Sequence, residues 1–530
     1  MTLNSKVSTE VPKRGWSFSE AIVGRPGFPN PLLAASSVDE DIVTLVYSGL
    51  FRPDPAGGLM ADLAESYSTS DDGLSYTVTL KPNLVWHDGL PVTTADILFT
   101  TERIKDPAYK SPLRPNWEGV TSTVVDDRTI RFDLKKAYAP FLENLTVGII
   151  PKHLWEEKGP AEFPIDSGVV TPIGTGPFQV SSIVRNATTG VPEKIILRAF
   201  PKYALGKPYL DGIKLLFYPN QNEAVLAYKN GTVNALSLLN EDGEKSLSKE
   251  EALNVPLSRL FGVFLNSSEN TIFLHDEVRT VLNETAPRKE IIEQALSGNG
   301  VALSGPLPPG VLGFEEKDII TKSAEEGVVF LTDKGWVKNE ATGVFEKKKG
   351  TGVERLSFTL ATANVPDLIT AATILKENWE KIGFSVDLKL FEPGDLAENV
   401  IRTREYDAVL FGLRNGRDPD PYPFWHSSQR LDPGLNISLY ANKDVDLLLE
   451  EARITTDTGM RVALYQRFSK IIEEDVPAIF LYAPSYCYYA PAVSGLNISA
   501  ATVPSDRFSH VYSWYRYTER VWNIFLTTTY

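Results

Sequence analysis

A chain of 530 residues with 42% hydrophobic and 23% charged residues has an ordinary globular balance, and at roughly 150 residues per domain it predicts two to four domains. Its 68 acidic residues against 53 basic ones give a formal charge of −15, the wrong sign for a phosphate-binding surface, which disfavours nucleic acid as a partner. A single cysteine, Cys487, excludes an internal disulfide and any Cys-rich metal site, and no run of about 18 uninterrupted apolar residues predicts a membrane span.

The N-terminus, MTLNSKVSTEVPKRGW, is polar and has no apolar signal core. Either the protein is cytoplasmic or a targeting segment is missing from this version of the sequence. Further on, Tyr76, Val78 and Leu80 alternate with Ser75, Thr77, Thr79 and Lys81, which predicts a half-buried strand. Asp71-Asp72-Gly73 before it and His87-Asp88-Gly89 after it are turn sequences. Thr93 or Thr94 can then cap a helix, Asp96 suits its positive end, and Ile97, Thr101 and Ile104 share one face. The cluster Trp86, His87, Asp88 is thus a structural turn rather than a catalytic group, since adjacent turn residues point apart and no nucleophile lies nearby. Gly174-Thr175-Gly176 is another turn and not a phosphate cradle.

The C-terminal half gives the clearest architecture. Leu356, Phe358 and Leu360 alternate as a strand; Asn364 offers a cap ahead of Pro366. Leu368, Ala372, Leu375, Trp379 and Ile382 form a helical apolar stripe that Gly383 ends. Phe384, Val386, Leu388 and Leu390 alternate again, a short helix is expected from about 394 to 402, and YDAVLFGL (406–413) is apolar enough for a strand covered on both faces. This β-α-β-α-β order predicts a parallel sheet with ligands outside its carboxyl ends. Two loops leave those ends, residues 361–366 and 413–425.

The order of several short motifs is more specific than any of them alone. LAESY, DDG, YTVTLK, HDG and TTADILFT lie within residues 63–100, preceded by NPLL and VYSGLF. TPIGTGPF (171–178), GKPYLDGI (206–213), NGTVNAL (230–236), FLNSSENTIFLHDEVRTVLNETAPRKEII (264–292), PDPYPFWHSSQ and EEDVPAIFLY follow. This series, over roughly residues 20 to 515, resembles the bacterial extracytoplasmic solute-binding proteins of family 5, the oligopeptide, dipeptide and nickel-binding components of ABC importers. The resemblance implies an α/β fold with two periplasmic-binding-protein-like lobes of class II type and an extra subdomain in the first. Lobe I would comprise 1–50, 170–258 and 490–530, with the extra subdomain at 51–169 and lobe II at 259–489. A ligand would be enclosed by hinge closure of the lobes.

Candidate ligand contacts fall in the second of the two strand-end loops, LRNGRDPDPYPFW. Asp418 or Asp420 could accept from a ligand ammonium, although Asp-Pro pairs also simply build turns. In peptide-binding relatives an Asp about three positions before the acidic-Pro pair receives the peptide amine; here the matching positions hold Asn415 or Arg417. Arg414 and Arg417 suit a ligand carboxylate, phosphate or sugar acid, or else face solvent or make salt bridges between lobes. By resemblance, IVGRPGF (22–28) would lay backbone hydrogen bonds along a bound peptide, with Arg25 projecting toward the cleft. Trp425, Tyr482 and Tyr486 are candidate walls, with core packing as the alternative.

The five histidines include no pair at helical zinc-ligand spacing, and no Gly-x-Ser-x-Gly elbow or nucleotide-binding loop occurs, so no catalytic residue, metal or cofactor is assigned. Seven Asn-x-Ser/Thr sequons are discounted, Asn266 because its segment is expected to be partly buried. The expected function is a non-enzymatic, monomeric, extracytoplasmic receptor that hands a peptide or other small solute to a membrane permease. A removed N-terminal segment would supply its tether. The alternatives are sensing or chaperone-like capture without transport, and a hydrolase on the same scaffold.

Overall fold

The computed structural model describes residues 8–34, 36–54, 58–164, 171–238, 247, 252–309, 314, 318–350, 352–498 and 501–523. The polar residues 1–7 and the expected boundary at residue 170 lie outside the described residues. The chain divides into two compact units, the first holding Met1–Val255 and Tyr486–Tyr530, the second Pro256–Ser485. It therefore crosses between units twice, at 255/256 and again at 485/486, within the long strand Ala478–Tyr489.

In the first unit, β1 (Ser17–Val23) leads to α1 (Ser37–Val46), whose N-cap Ser36 accepts from the Asp39 N–H. Residues 51–169 carry an antiparallel sheet in the order β2 (Ala64–Thr69), β3 (Ser75–Leu80), β5 (Thr129–Leu134), β4 (Val120–Val124). The alternation read in the sequence is present, with Tyr76, Val78 and Leu80 buried. Helix α2 (Thr94–Lys105) starts at Thr93, and Asp96 reaches back to accept from the Thr93 N–H at 3.0 Å. The main sheet of this unit adds β6 (Phe178–Arg185), β7 (Pro192–Ala199), β8 (Gly212–Tyr218), helix α3 (Gln221–Lys229) and β9 (Ala235–Leu238). Both β8 and β9 run parallel to β1; β7 pairs antiparallel with β8 and β6, and β9 pairs antiparallel with the end of the long strand.

The two sequence turns on this unit meet. The Gly174 N–H donates to His87 Nδ1 (3.2 Å), Nε2 of the same ring contacts the Gly176 carbonyl (3.0 Å), and the His87 N–H donates to the Gly174 carbonyl (2.9 Å). Burial lowers the His87 pKa to about 4, so the ring is neutral, and with Nδ1 accepting, Nε2 carries the donated proton. Gly174 and Gly176 are required by close approach: a Cβ on Gly174 would lie 2.0 Å from the Val46 carbonyl oxygen. Asp88 pairs instead with His153 at 2.9 Å. These contacts account for the Trp86, His87, Asp88 cluster as scaffold.

The second unit is built on β10 (Arg259–Leu265), β11 (Ser357–Ala363), α4 (Pro366–Ile382), β12 (Ser385–Phe391) and β13 (Ala408–Arg414). Its strand order is β12-β11-β13-β10-long strand. The β-α-β-α-β segment has the expected parallel pairings, β11 with β12 and with β13. The sheet as a whole is mixed, because β10 runs antiparallel to both β13 and the long strand. Ala408, Val409 and Leu410 are fully buried, as a strand covered on both faces requires. One cluster, including Phe358, Trp379, Phe384 and Leu481, packs against α4; a second, including Val409, Trp425, Leu448, Phe468 and Phe480, packs against α5 (Lys443–Ile454) and α6 (Thr458–Asp475).

Two local readings differ in detail. Val365, not Asn364, is the N-cap of α4, and the Asn364 amide donates to Glu392 Oε1 across the strand ends (2.9 Å). The segment expected as a short helix is one turn, Pro393–Asp395, followed by a π-helical stretch, Leu396–Ile401, that buries Leu396 and Val400. Asn266 is fully buried, donating to the Arg404 carbonyl and accepting from the Ser268 N–H.

Candidate ligand-binding site

In the second unit, β11, β12 and β13 all end on the same edge, so residues after Ala363, Phe391 and Arg414 crowd the carboxyl rim. The loop after β13 is held in place along its length. The Asn415 N–H donates to the Ser258 carbonyl (2.9 Å), Ser258 Oγ to the Gly416 carbonyl (3.3 Å), and Tyr465 Oη to the Pro419 carbonyl (2.9 Å). Tyr422–Trp425 forms one helical turn directly after it.

Both loop carboxylates have arginine partners from the helices behind. Asp420 accepts from Arg453 of α5 through Nε (3.0 Å to each oxygen) and Nη2 (2.6 Å), a two-oxygen grip. That guanidinium also lies 3.9 Å over the Tyr422 ring, which stacks on His426 at 4.1 Å. Asp418 Oδ2 accepts from Arg461 of α6 at 2.6 Å. Burial is the largest influence on Asp418 and raises its pKa to about 6 although Arg461 opposes the shift.

Around these pairs the loop keeps unfilled hydrogen-bonding capacity. Asn415 is 4% exposed, yet its amide Nδ2 has no acceptor among the described residues, and Asp418 Oδ1 is buried without a donor. A buried polar atom left in this state costs about 1–3 kcal/mol, so each is a place where a ligand group would be stabilising. Arg414 is exposed and has no ion-pair partner among the described residues; Arg417 is half-buried.

The remaining expected residues are distributed otherwise. Trp425 is a core residue, 1% exposed and packed near Phe264, Phe468 and Phe480. Tyr482 is buried on the long strand and stacks on Phe261 (5.1 Å, 19°). Tyr486 belongs to the first unit, is buried there, and donates to the Pro504 carbonyl at 3.3 Å. Arg25 also belongs to the first unit, exposed on the turn that leaves β1 at its carboxyl end. Gly24 begins that turn at φ +106° with its N–H on the Tyr218 carbonyl, and the Gly27 N–H is held by Asp39 Oδ1 (2.8 Å) at the start of α1. The second unit thus gathers Arg414, Asn415, Arg417, Asp418, Asp420 and Trp425 on one loop, while Tyr482 lies on a different strand of that unit.

Sequence reasoning missed the arginines that hold the acids. Asp420 and Arg453 are 33 residues apart, and no local pattern joins them. Arg461 did leave a signal: it falls on the buried stripe Arg461, Leu464, Tyr465, Phe468, Ile472 of α6, where a cation needs a partner. A second buried network was missed in the first unit. Arg507, 2% exposed, grips Asp41 with both terminal nitrogens (2.7 and 2.6 Å) and Glu20 Oε1 with Nε (2.9 Å), while the Tyr488 hydroxyl donates to Glu20 Oε2 (2.9 Å). Two carboxylates share one guanidinium, and burial raises the Glu20 pKa to about 7.

Among the described residues no group of three or more His, Cys, Asp and Glu side chains could hold a metal ion, and no helix is long and apolar enough to cross a membrane.

Parallel strands whose carboxyl rim carries a polar, anchored and partly unsatisfied loop define an α/β protein of the kind that holds a small solute at strand ends. Residues 58–432 match the family described as bacterial extracellular solute-binding proteins, family 5 Middle, and the chain belongs to that family. It is 28% identical to the oligopeptide-binding protein AppA of Bacillus subtilis (strain 168) over 502 residues, 91% of this chain and 89% of the relative. The structure of AppA from Bacillus subtilis in complex with a nonapeptide matches with a TM-score of 0.68 at 25% identity, covering 96% of this chain and 100% of that one. The ABC transporter substrate-binding protein CtaP of Listeria monocytogenes matches with a TM-score of 0.76 at 27% identity, covering 95% and 100%.

Proposed function

We propose that this chain is the capture component of an ABC importer and that its cargo is a peptide or peptide-like solute. The observation that carries the reading is the match to AppA along nearly the whole of both chains, together with the nonapeptide held by that relative. The rigid loop after β13 supports it, because its orphan donor and acceptor suit the carbonyl and N–H of a peptide unit. Lobe I is assigned to 1–50, 170–258 and 490–530, its extra subdomain to 51–169, and lobe II to 259–489. Hinge closure about the two chain crossings is part of the same proposal. Arg25, Arg414, Asn415, Arg417, Asp418 and Asp420 are assigned as the polar side of the site. Trp425 and Tyr482 act as packed backing in the second unit, and Tyr486 as packed backing in the first. No residue is given a covalent role.

The protein would work outside the cytoplasmic membrane, tethered to it, and deliver its cargo as a monomer to a membrane permease. Isothermal titration against synthetic peptides of two to nine residues tests the reading. Saturable one-to-one binding is expected; silence toward every peptide, with a response to sugars or metal complexes, would refute it.

A further inference from the structure

We infer that the loop after β13 seats a neutral or anionic, acceptor-bearing part of the ligand, and that a free ammonium is not what this end of the site recognises. The inference rests on the solute-capture reading and narrows its ligand class. Its first support is charge. A carboxylate receives an ammonium well when its own charge is otherwise unbalanced, and neither loop acid meets that condition. Asp420 has both oxygens engaged by Arg453, and Asp418 is balanced by Arg461 at 2.6 Å. Arg414, exposed on the same loop, adds a guanidinium beside these engaged pairs, and an incoming ammonium meets a charge of its own sign there.

The second support is the orphaned amide of Asn415. The side chain is buried, its backbone N–H already serves the Ser258 carbonyl, and Nδ2 has no acceptor among the described residues. An N–H₂ group can only donate, so the ligand atom that satisfies it is a carbonyl or carboxylate oxygen. Asp418 Oδ1, the other buried orphan, can accept the N–H of an uncharged amide without adding a cation. Arg414, exposed one residue earlier, offers a further donor to an acceptor on the same ligand. An acylated amine, an internal peptide bond or an acidic group fits this set; a bare amino terminus leaves the Asn415 donor unmet.

The test uses the whole chain, peptides with free amino termini and the same peptides N-acetylated, in isothermal titration. Acetylated forms are expected to bind within about threefold of the free forms or more tightly. Asn415→Asp replaces the donor by a carboxylate, so it should weaken acetylated peptides at least tenfold and shift preference toward free amines. Asn415→Leu, which has neither donor nor charge, should weaken acetylated peptides without creating that preference. A tenfold or greater loss on acetylation in the unaltered chain overturns the inference while leaving peptide capture standing. So does equal binding of both forms by all three chains. Silence of every peptide overturns both.

Discussion

Glu20→Gln isolates the cost of placing two buried acids on one arginine. In the fold the Glu20 carboxyl has its pKa raised from 4.5 to about 7, chiefly by burial, against the opposing pull of Arg507. A carboxyl whose pKa is higher folded than unfolded holds its proton more tightly in the native state. Its contribution is therefore fully present below pH 4.5 and is lost as pH rises through 7. At 1.36 kcal/mol per unit, the shift is worth at most about 3 kcal/mol, and the proton belongs to the pair with Asp41 rather than to Glu20 alone. The glutamine keeps the shape: its oxygen can accept from Arg507 and its amide can donate to the Tyr488 oxygen. Arg507 then balances Asp41 one to one. His87 contributes with the opposite sign, because its pKa is lowered from 6.5 to about 4 and its stabilisation is lost as pH falls through that range. Comparing variant with parent removes this and every other unchanged group. Urea unfolding at a series of pH values, with hydrogen exchange of β1 and α1 amides reporting on the first unit, should show the variant gaining steadily between pH 4.5 and 7. The gain should approach 3 kcal/mol at the top of that window. A difference curve that stays flat, or a variant that loses stability at pH 8, would refute the reasoning.

Two other changes test the scaffold and the loop. Gly174→Ala would put a methyl 2.0 Å from the Val46 oxygen, well inside contact, and the backbone there is also tied to His87. A loss of at least about 3 kcal/mol, or roughly 5 °C in the melting temperature of a unit of this size, is expected by calorimetry; a change within about 2 °C would show that the turn can yield. Arg461→Met strands the largely covered Asp418 carboxylate and should destabilise the second unit by about 2–4 kcal/mol, whereas Arg461→Met with Asp418→Asn should recover most of the loss. A double variant as unstable as the single would mean that the pair is not coupled.

Much of this molecule was legible in its residues because the relevant physics is local. A period of two marks β3, steps of three and four mark α4, and Gly383 closes that helix at φ +122°. The strand–helix alternation from 356 to 413 implies parallel pairing, and with it the rim on which 414–425 lies. The ordered motifs carried the family as well, since they mark turns and close approaches such as the His87–Gly174 and His87–Gly176 contacts. Tertiary structure alone decided who partners whom. That Asp418 and Asp420 are neutralised from α6 and α5, that Trp425 is core, and that Glu20, Asp41, Tyr488 and Arg507 share one buried network depends on segments up to 487 residues apart. Helical and strand periodicity fixes which face a side chain occupies within a few residues. The charge it meets across the core is set by how whole elements pack, and a single sequence carries no local record of that.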